Sequence, residues 1–274
     1  MSNRFFISGA AGGLGKAFAV ECARRGWDLF LTDLNRSSLE TLSSGLRRSF
    51  LVDVDYFPAD LTDDRSREQL FSHLDSLGIF FSGLVNVAGL NFEGSFLEIS
   101  RLSLRTILRL NIESTLEVTH FLLSRASPLV PFRVVTVASL AAFYPMPFKA
   151  TYAASKTFLF NFSLALKEEL RDRNATVTVL CPAGLPTTSA SIHSIDTQGV
   201  MGHITTENIG GVVSRTLDRA LQGRPLVIPG FVNQLLMSVG SLLPAALLAR
   251  LIHRRWSRAQ RRKQAAQKEA QFIT

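Results

Sequence analysis

Short apolar runs alternate along the chain with longer stretches at helical spacing. Arg4–Ser8, Asp28–Thr32, Asp53–Phe57, Gly83–Asn86, Arg133–Val137, Thr176–Cys181 and Leu226–Ile228 read as strands without sustained polar alternation. Strands of that kind are buried on both faces, and the long segments between them supply the crossover helices that parallel neighbours need. The pattern predicts an α/β fold, a doubly wound parallel sheet of about seven strands in a three-layer αβα sandwich. From Tyr152 to Arg173 the residues Phe158, Phe162, Leu166 and Leu170 recur every four positions, with Lys167, Glu168, Glu169 and Arg171 gathered at the far end, which predicts a long amphipathic helix. Ala183–Ile204 carries Gly, Pro, Ser and Thr without a period and reads as a long loop of the kind that forms lids or binding segments, before a helix near Thr206–Gln222.

The 274 residues are enough for a full core, and two cysteines, Cys22 and Cys181, cannot build a disulfide framework. Collagen-like, disordered and disulfide-stapled classes are thereby excluded, and the thiols fit a reducing compartment. MSNRFFISGA lacks the basic and apolar regions of a secretory signal and reads as the first strand, so the expected location is cytoplasmic, with the inner face of a membrane as an option. Of the formal net charge of +8, the last 25 residues carry +7, which leaves residues 1–249 at +1. A near-neutral body is not a nucleic-acid-binding domain and moves the question of charge to the C-terminus.

The first strand runs into Ser8-Gly9-Ala10-Ala11-Gly12-Gly13-Leu14-Gly15, followed by a helical stretch from Lys16. Glycines there let the backbone approach a pyrophosphate, and the helix N-terminus offers free N–H groups and the positive end of its dipole. The second strand ends at Asp33, 18 residues after Gly15, where a carboxylate can accept both hydrogen bonds of an adenosine ribose diol and repel a 2′-phosphate. That favours NAD. Arg36 argues the other way, because it stands close enough to meet a 2′-phosphate. Ser37 and Ser38 are taken as the start of the next helix, which leaves Asp33 free of a capping role.

The spacing Gly9-x3-Gly13-x-Gly15 resembles the glycine turn of the short-chain dehydrogenase/reductase family, and the resemblance recurs over roughly residues 3–230. Asp60-Leu61 is similar to that family's adenine-binding pair, and Asn86-Val87-Ala88-Gly89 to its Asn-x-Ala-Gly element. Asn111 stands where the family keeps a helix-bending asparagine. Tyr152-Ala153-Ala154-Ser155-Lys156 reproduces Tyr-x-x-x-Lys, with Ser139 ending the fifth strand 13 residues earlier. Pro182-Ala183-Gly184-Leu185-Pro186-Thr187 resembles the segment that holds the nicotinamide; within it Pro182, Leu185 and Thr187 are the expected contacts. The resemblance implies a Rossmann-type fold, an NAD(P) cofactor, interconversion of a secondary alcohol and a carbonyl, and a homodimer or homotetramer. It also departs in places: Ser8 replaces a usual Thr, Ala183 replaces a Gly, and Gly12 occupies a position often basic in NADP-preferring relatives.

The residues support the same chemistry on physical grounds. Tyr152 and Lys156 lie one helical turn apart, so both side chains reach one cleft, and an ammonium beside a phenol lowers the phenol pKa toward the working range of an acid/base. Ser139 would hold the reacting oxygen, Lys156 would also grip the nicotinamide ribose, and Asn111 would orient a water that relays protons. The alternatives are the same chemistry with NADP, or a silent dinucleotide-binding sensor. His73, His120, His193, His203 and His253 make no metal spacing, and no Gly-x-Ser-x-Gly elbow turns Ser139 into a hydrolase nucleophile.

Domain boundaries are expected at 1–230 for the catalytic unit and 231–274 for an apolar helical extension with a basic tail. Leu226–Ala249 holds no charge, but Asn233, Gln234 and Pro244 break it into pieces shorter than the ~20 residues that span a bilayer. The extension reads as a substrate-covering or dimer-packing helix, a solvated basic tail, or a monotopic anchor with Leu235, Leu236, Val239, Leu242, Leu243, Leu247, Leu248, Leu251 and Ile252 inserted below Trp256. Phe143, Met146 and Phe148, with the loop after Thr188, would form an apolar lid suited to a lipophilic substrate.

Overall fold

A computed structural model describes residues 3–127, 129–187, 205–254 and 256–257. Its centre is a seven-stranded sheet, entirely parallel, in the order β3-β2-β1-β4-β5-β6-β7. The strands are β1 Arg4–Ser8, β2 Asp28–Asp33, β3 Val54–Pro58, β4 Gly83–Asn86, β5 Phe132–Val137, β6 Ala175–Leu180 and β7 Leu226–Val227. The helices are α1 Gly13–Arg24, α2 Arg36–Ser49, α3 Asp64–Leu77, α4 Arg101–Leu108, α5 Ser114–Leu123, α6 Ala150–Glu169, α7 Ile209–Leu221 and α8 Phe231–Leu242, followed by α9 at 245–254. The chain winds outward from β1 on one side and from β4 on the other, so the crevice between Ser8 and Asn86 is the topological switch point where ligands of such sheets bind.

Successive strand residues serve opposite faces. Phe5, Ile7, Leu29 and Leu31 join Phe18, Val212 and Leu217 in one cluster under α1 and α7, while Phe6, Phe30, Leu84 and Phe132 join Leu70, Phe81 and Leu122 under α3 and α5. This two-sided burial is why the strands read as apolar runs. A third cluster, Ala138, Leu159, Val179, Cys181 and Ile228, packs β6 beneath α6, with Phe143, Phe160 and Met237 against it.

Two expectations change. α2 is capped by Asn35, whose side chain accepts from the Ser38 N–H, so the helix starts before Ser37 and Ser38. On α6 the buried positions are Ala153, Ser155, Lys156, Leu159 and Ser163; of the large residues spaced by four, Phe158 is exposed and stacks on Phe162, whereas Leu166 and Leu170 pack on the second core cluster. Small and polar residues line its buried N-terminal part, where Lys156 reaches the Val137 carbonyl at the end of β5.

Gly45 stands inside α2 with nothing within 4 Å of where a Cβ would be. Gly45→Ala is expected to stabilise the protein by about 0.5–1 kcal/mol, because the open position gains helix propensity at no steric cost. Urea denaturation measures it, and an unchanged or lower midpoint would contradict it.

Candidate active site

β1 ends in a turn whose shape only small residues permit. Gly9 has φ +66°, and a Cβ there would lie 2.7 Å from the Ala88 nitrogen. A Cβ on Gly13 would lie 2.9 Å from the Thr187 Cβ, so the segment after β6 sits directly on the first turn of α1. Gly15 is buried against Gly9 and Ala10, and Leu14 fills the core behind the turn. Gly12 is the N-cap of α1 with no side chain to occupy the free N–H groups. The result is a cradle at a helix N-terminus that a side chain would fill and a pyrophosphate fits.

Asp33 closes the rim of this cradle. Its Oδ2 accepts from the Ala11 N–H at 3.0 Å and its Oδ1 from the Asn35 N–H at 3.1 Å, which fixes the carboxylate at the end of β2 and leaves further lone pairs outward. Arg36 is exposed and lies 4.0 Å from Glu40. Asp60 holds Thr62 through its N–H (2.8 Å) and hydroxyl (2.7 Å), and Leu61 is buried beside it. The Pro182 carbonyl accepts from the Leu140 N–H at 2.8 Å, Leu185 is buried in the core under α1, and the Thr187 N–H donates to the Leu185 carbonyl at 2.8 Å.

Across the switch point, Asn86 is buried and its Nδ2 donates to Thr119 Oγ1 at 2.9 Å. The Ser8 hydroxyl accepts from the N–H groups of Val87 and Ala88, so the retained hydroxyl ties β1 to the segment after β4. Gly89 brings two site residues together: a Cβ there would be 3.3 Å from both Asn111 Oδ1 and Lys156 Nζ.

Asn111 sits in a π-helical turn, Arg109–Glu113, between α4 and α5. Such turns arise by insertion into an α-helix and recur at functional sites. Its Oδ1 accepts from Leu90 N–H at 2.8 Å, and its Nδ2 donates to the Leu90 carbonyl at 3.0 Å and to Ser155 Oγ at 2.9 Å. Both Nδ2 hydrogens are thus engaged, while Oδ1 keeps one lone pair besides its bond from the Leu90 N–H. Ser155 in turn donates to the Tyr152 carbonyl at 2.8 Å, linking the π-turn to the first turns of α6.

Ser139, Tyr152 and Lys156 converge as their spacing predicts. Lys156 is buried, with Nζ 5.8 Å from the Tyr152 ring centre and donating to the Val137 carbonyl at 2.9 Å. The Ser139 Oγ accepts from Ala141 N–H at 3.1 Å, and its hydroxyl stands beside the Tyr152 phenol. One expectation is corrected here. Burial raises the Tyr152 pKa above its usual value, opposed only by the nearby Ser139 hydroxyl; burial also pushes Lys156 down to about 8. Desolvation disfavours the charged form of each group and is the largest cause at both. Cys181, beside them, is pushed up to about 12 by burial and stays a thiol.

Phe148 lines a small cavity of about 30 Å³ next to Tyr152, together with Phe92, Phe96 and Ile99. It adopts φ +66°, a strained conformation for a bulky residue, and its carbonyl accepts from Gly94 N–H at 2.9 Å. Phe143 departs from the expected lid: its ring packs edge-on against Phe160 in the third core cluster, 4.8 Å between centres. The lid segment 188–204 lies outside the described residues.

A sequence profile described as short chain dehydrogenase matches residues 3–197. The chain belongs to the short-chain dehydrogenase family. Among curated relatives, 17-beta-hydroxysteroid dehydrogenase type 3 of Mus musculus is 32% identical over 184 residues, 66% of this chain and 59% of that one. The very-long-chain 3-oxoacyl-CoA reductase of Vanderwaltozyma polyspora is 31% identical over 189 residues, 65% of this chain and 54% of that one. The match spans less than two thirds of these relatives' length. In fold, the chain resembles a short-chain dehydrogenase from Sphingobium yanoikuyae in complex with NADPH, with TM-score 0.75, 24% identity, and coverage of 86% and 95%. It also resembles a family member from Burkholderia phymatum in complex with NAD, with TM-score 0.75, 20% identity, and coverage of 88% and 92%.

Several residues that build this short-chain dehydrogenase site escaped the sequence reading. Thr119 and Ser155 hold Asn86 and Asn111, and Arg67 crosses from α3 to the π-turn. The i,i+4 pair Glu113 and Glu117 was the available signal for Arg67, but nothing in the sequence says that a residue 46 positions earlier faces it.

Proposed function

We propose that the protein interconverts a secondary alcohol and a carbonyl with NAD as the preferred cofactor. The observation that carries this reading is the convergence of Ser139, Tyr152 and Lys156 in one crevice beside the glycine cradle. The cofactor, when bound, supplies the hydride acceptor or donor. Gly9, Gly12, Gly13, Leu14 and Gly15 would hold its pyrophosphate, Asp33 the adenosine ribose, Asp60 and Leu61 the adenine, and Ala88, Gly89, Pro182, Leu185 and Thr187 the nicotinamide half. Tyr152 moves the proton at the substrate oxygen. Ser139 donates a hydrogen bond to that oxygen and stabilises its developing charge, Lys156 supplies positive charge and donors beneath it, and Asn111 fixes the π-turn against α6.

The apolar lining of Phe92, Phe96, Ile99 and Phe148 suits a lipophilic substrate. The curated relatives, named for hydroxysteroid and very-long-chain 3-oxoacyl-CoA chemistry, point the same way. Exposed Leu102 and Leu108 on α4 and Phe158 on α6 would be covered in a homodimer or homotetramer, and a cytoplasmic location is proposed with it. NADP is the second reading. A groove of about 480 Å³ between α1 and α2 is lined by Lys16, Ser37 and Ser38, which could receive a 2′-phosphate.

Parallel fluorescence titrations with NADH and NADPH decide between them. NADH is expected to bind at least about tenfold tighter, since charge-assisted hydrogen bonds are each worth roughly 1.5–3 kcal/mol. Asp33→Asn, which keeps an acceptor for the Ala11 N–H, is expected to erase most of that preference. Tighter NADPH binding by the unaltered protein would transfer the role to Lys16, Ser37 and Ser38. Binding without hydride transfer to any carbonyl in a single turnover would leave a dinucleotide sensor.

A further inference from the structure

The C-terminal helices present an apolar stripe that nothing among the described residues covers. On α8, Phe231, Leu235, Val239 and Leu242 recur at helical spacing and are 79, 54, 50 and 83% exposed. The opposite face of α8 is fastened to the body. Asn233 Nδ2 donates to the carbonyls of Thr205 at 3.0 Å and Pro229 at 2.7 Å, and Gln234 Nε2 donates to the Ile228 carbonyl at 2.9 Å. Met237 joins the third core cluster and Gly240 abuts the Tyr144 ring. With one face anchored in this way, the helix cannot turn its stripe inward without losing those bonds.

α9 continues the exposed apolar surface through Leu247 and Leu251. Its C-terminal end leans on the active-site loop: His253 stacks on Phe148 with ring centres 5.4 Å apart, and Lys149 Nζ lies 4.8 Å over the Trp256 ring. The stripe is therefore mechanically joined to the wall of the cavity that contains Tyr152.

Charge selects the occupant. No Asp or Glu occurs between Asp218 and Glu269, and the sequence from Arg250 onward carries a net +7. Arg250 and Arg254 are exposed on α9. A second copy docking through the same segment brings no acidic partner for these cations, whereas an anionic lipid surface offers both an apolar interior and phosphate counter-charges. No helix among the described residues is long and apolar enough to cross a membrane, and the break at Pro244 suits two short helices lying in a plane.

We propose that α8 and α9 dock in the interfacial plane of an anionic phospholipid membrane, with Phe231, Leu235, Val239 and Leu242 in the acyl boundary and Arg250 and Arg254 among the phosphates. Docked in this way, the cavity beside Phe148 lies next to the phase in which a lipophilic substrate dissolves. This extends the lipophilic-substrate reading but is tested without substrate or cofactor, so the two fail separately.

The test is flotation of the full chain with phosphatidylcholine vesicles and with vesicles containing phosphatidylglycerol, beside sedimentation equilibrium in solution. Binding is expected to be at least about tenfold tighter to the anionic vesicles and to weaken at about 0.5 M salt. Leu235→Gln with Leu242→Gln, both at exposed positions, is expected to reduce vesicle binding more than tenfold with an unchanged melting temperature. Arg250→Gln and Arg254→Gln should each cost about fivefold on anionic vesicles and little on neutral ones. Absence of flotation with either vesicle, or flotation that the leucine variants leave unchanged, would overturn the proposal. So would a dimer in solution that the leucine variants dissociate without any vesicle binding.

Discussion

Replacing Tyr152 with Phe is expected to lower the turnover number by about 10³-fold, within the range of roughly 10² to 10⁴ that a positioned proton-transfer group contributes. The ring and its packing remain, Lys156 keeps its bond to the Val137 carbonyl, and Ser139 keeps the Ala141 N–H. The cofactor dissociation constant should therefore stay within about twofold, so the loss falls on kcat. An unchanged kcat would remove Tyr152 from the chemistry.

The pH dependence follows from the two shifts. Burial raises the Tyr152 pKa, so the phenol stays protonated through neutral pH and is poised to donate a proton to a carbonyl oxygen. Burial brings Lys156 to about 8, so its ammonium is present below that pH and lost above it. Carbonyl reduction is thus expected to be level near neutrality and to fall as pH rises through about 8. Alcohol oxidation needs the phenolate and should rise with pH until the loss of the ammonium opposes it. The profile of kcat/KM reports these free-enzyme values; a reduction rate that climbed above pH 8 would contradict the assignment.

Arg67→Leu is expected to destabilise the fold substantially. The guanidinium is buried, at 2% exposure, and joins four groups: Glu117 at 2.6 Å, Glu113 at 2.5 Å, Asp64 at 2.8 Å and the Leu61 carbonyl at 2.8 Å. It therefore connects α3, the segment proposed to hold adenine, and the π-turn that carries Asn111. Removing one partner of a fully buried ion pair costs roughly 3–5 kcal/mol, but the side chains of Glu113 and Glu117 are 41 and 42% exposed and regain water. A loss of about 2–3 kcal/mol is the discounted expectation, measured by urea denaturation. Arg67→Lys keeps the charge but cannot span all four partners, so it should recover only part of the loss. Equal stability of Arg67→Leu and the unaltered protein would show that the network contributes nothing net.

Much of this site was legible because local chemistry dictated it. The glycine turn, the acid ending β2 and Tyr-x-x-x-Lys on one helix face are arrangements in which short spacing fixes geometry, and all three lie along the C-terminal edge of the sheet. Two departures were decided by side-chain geometry. Asn35 rather than Ser37 or Ser38 capped α2, because capping depends on which oxygen reaches an orphan N–H. Phe143, equally apolar as Phe148, turned toward Phe160 and the core instead of the cavity.

The sequence by itself determined the parallel α/β architecture, the place of the glycine turn and the spacing of Ser139, Tyr152 and Lys156, because apolar periodicity and residue spacing act over one element at a time. Only the tertiary structure decided the direction in which burial shifts Tyr152 and Lys156, the three hydrogen bonds of Asn111 with Leu90 and Ser155, and the four-way hold on Arg67. Desolvation and long-range hydrogen bonds come from groups tens of residues apart in the chain, and their balance exists only once the packed crevice has excluded water.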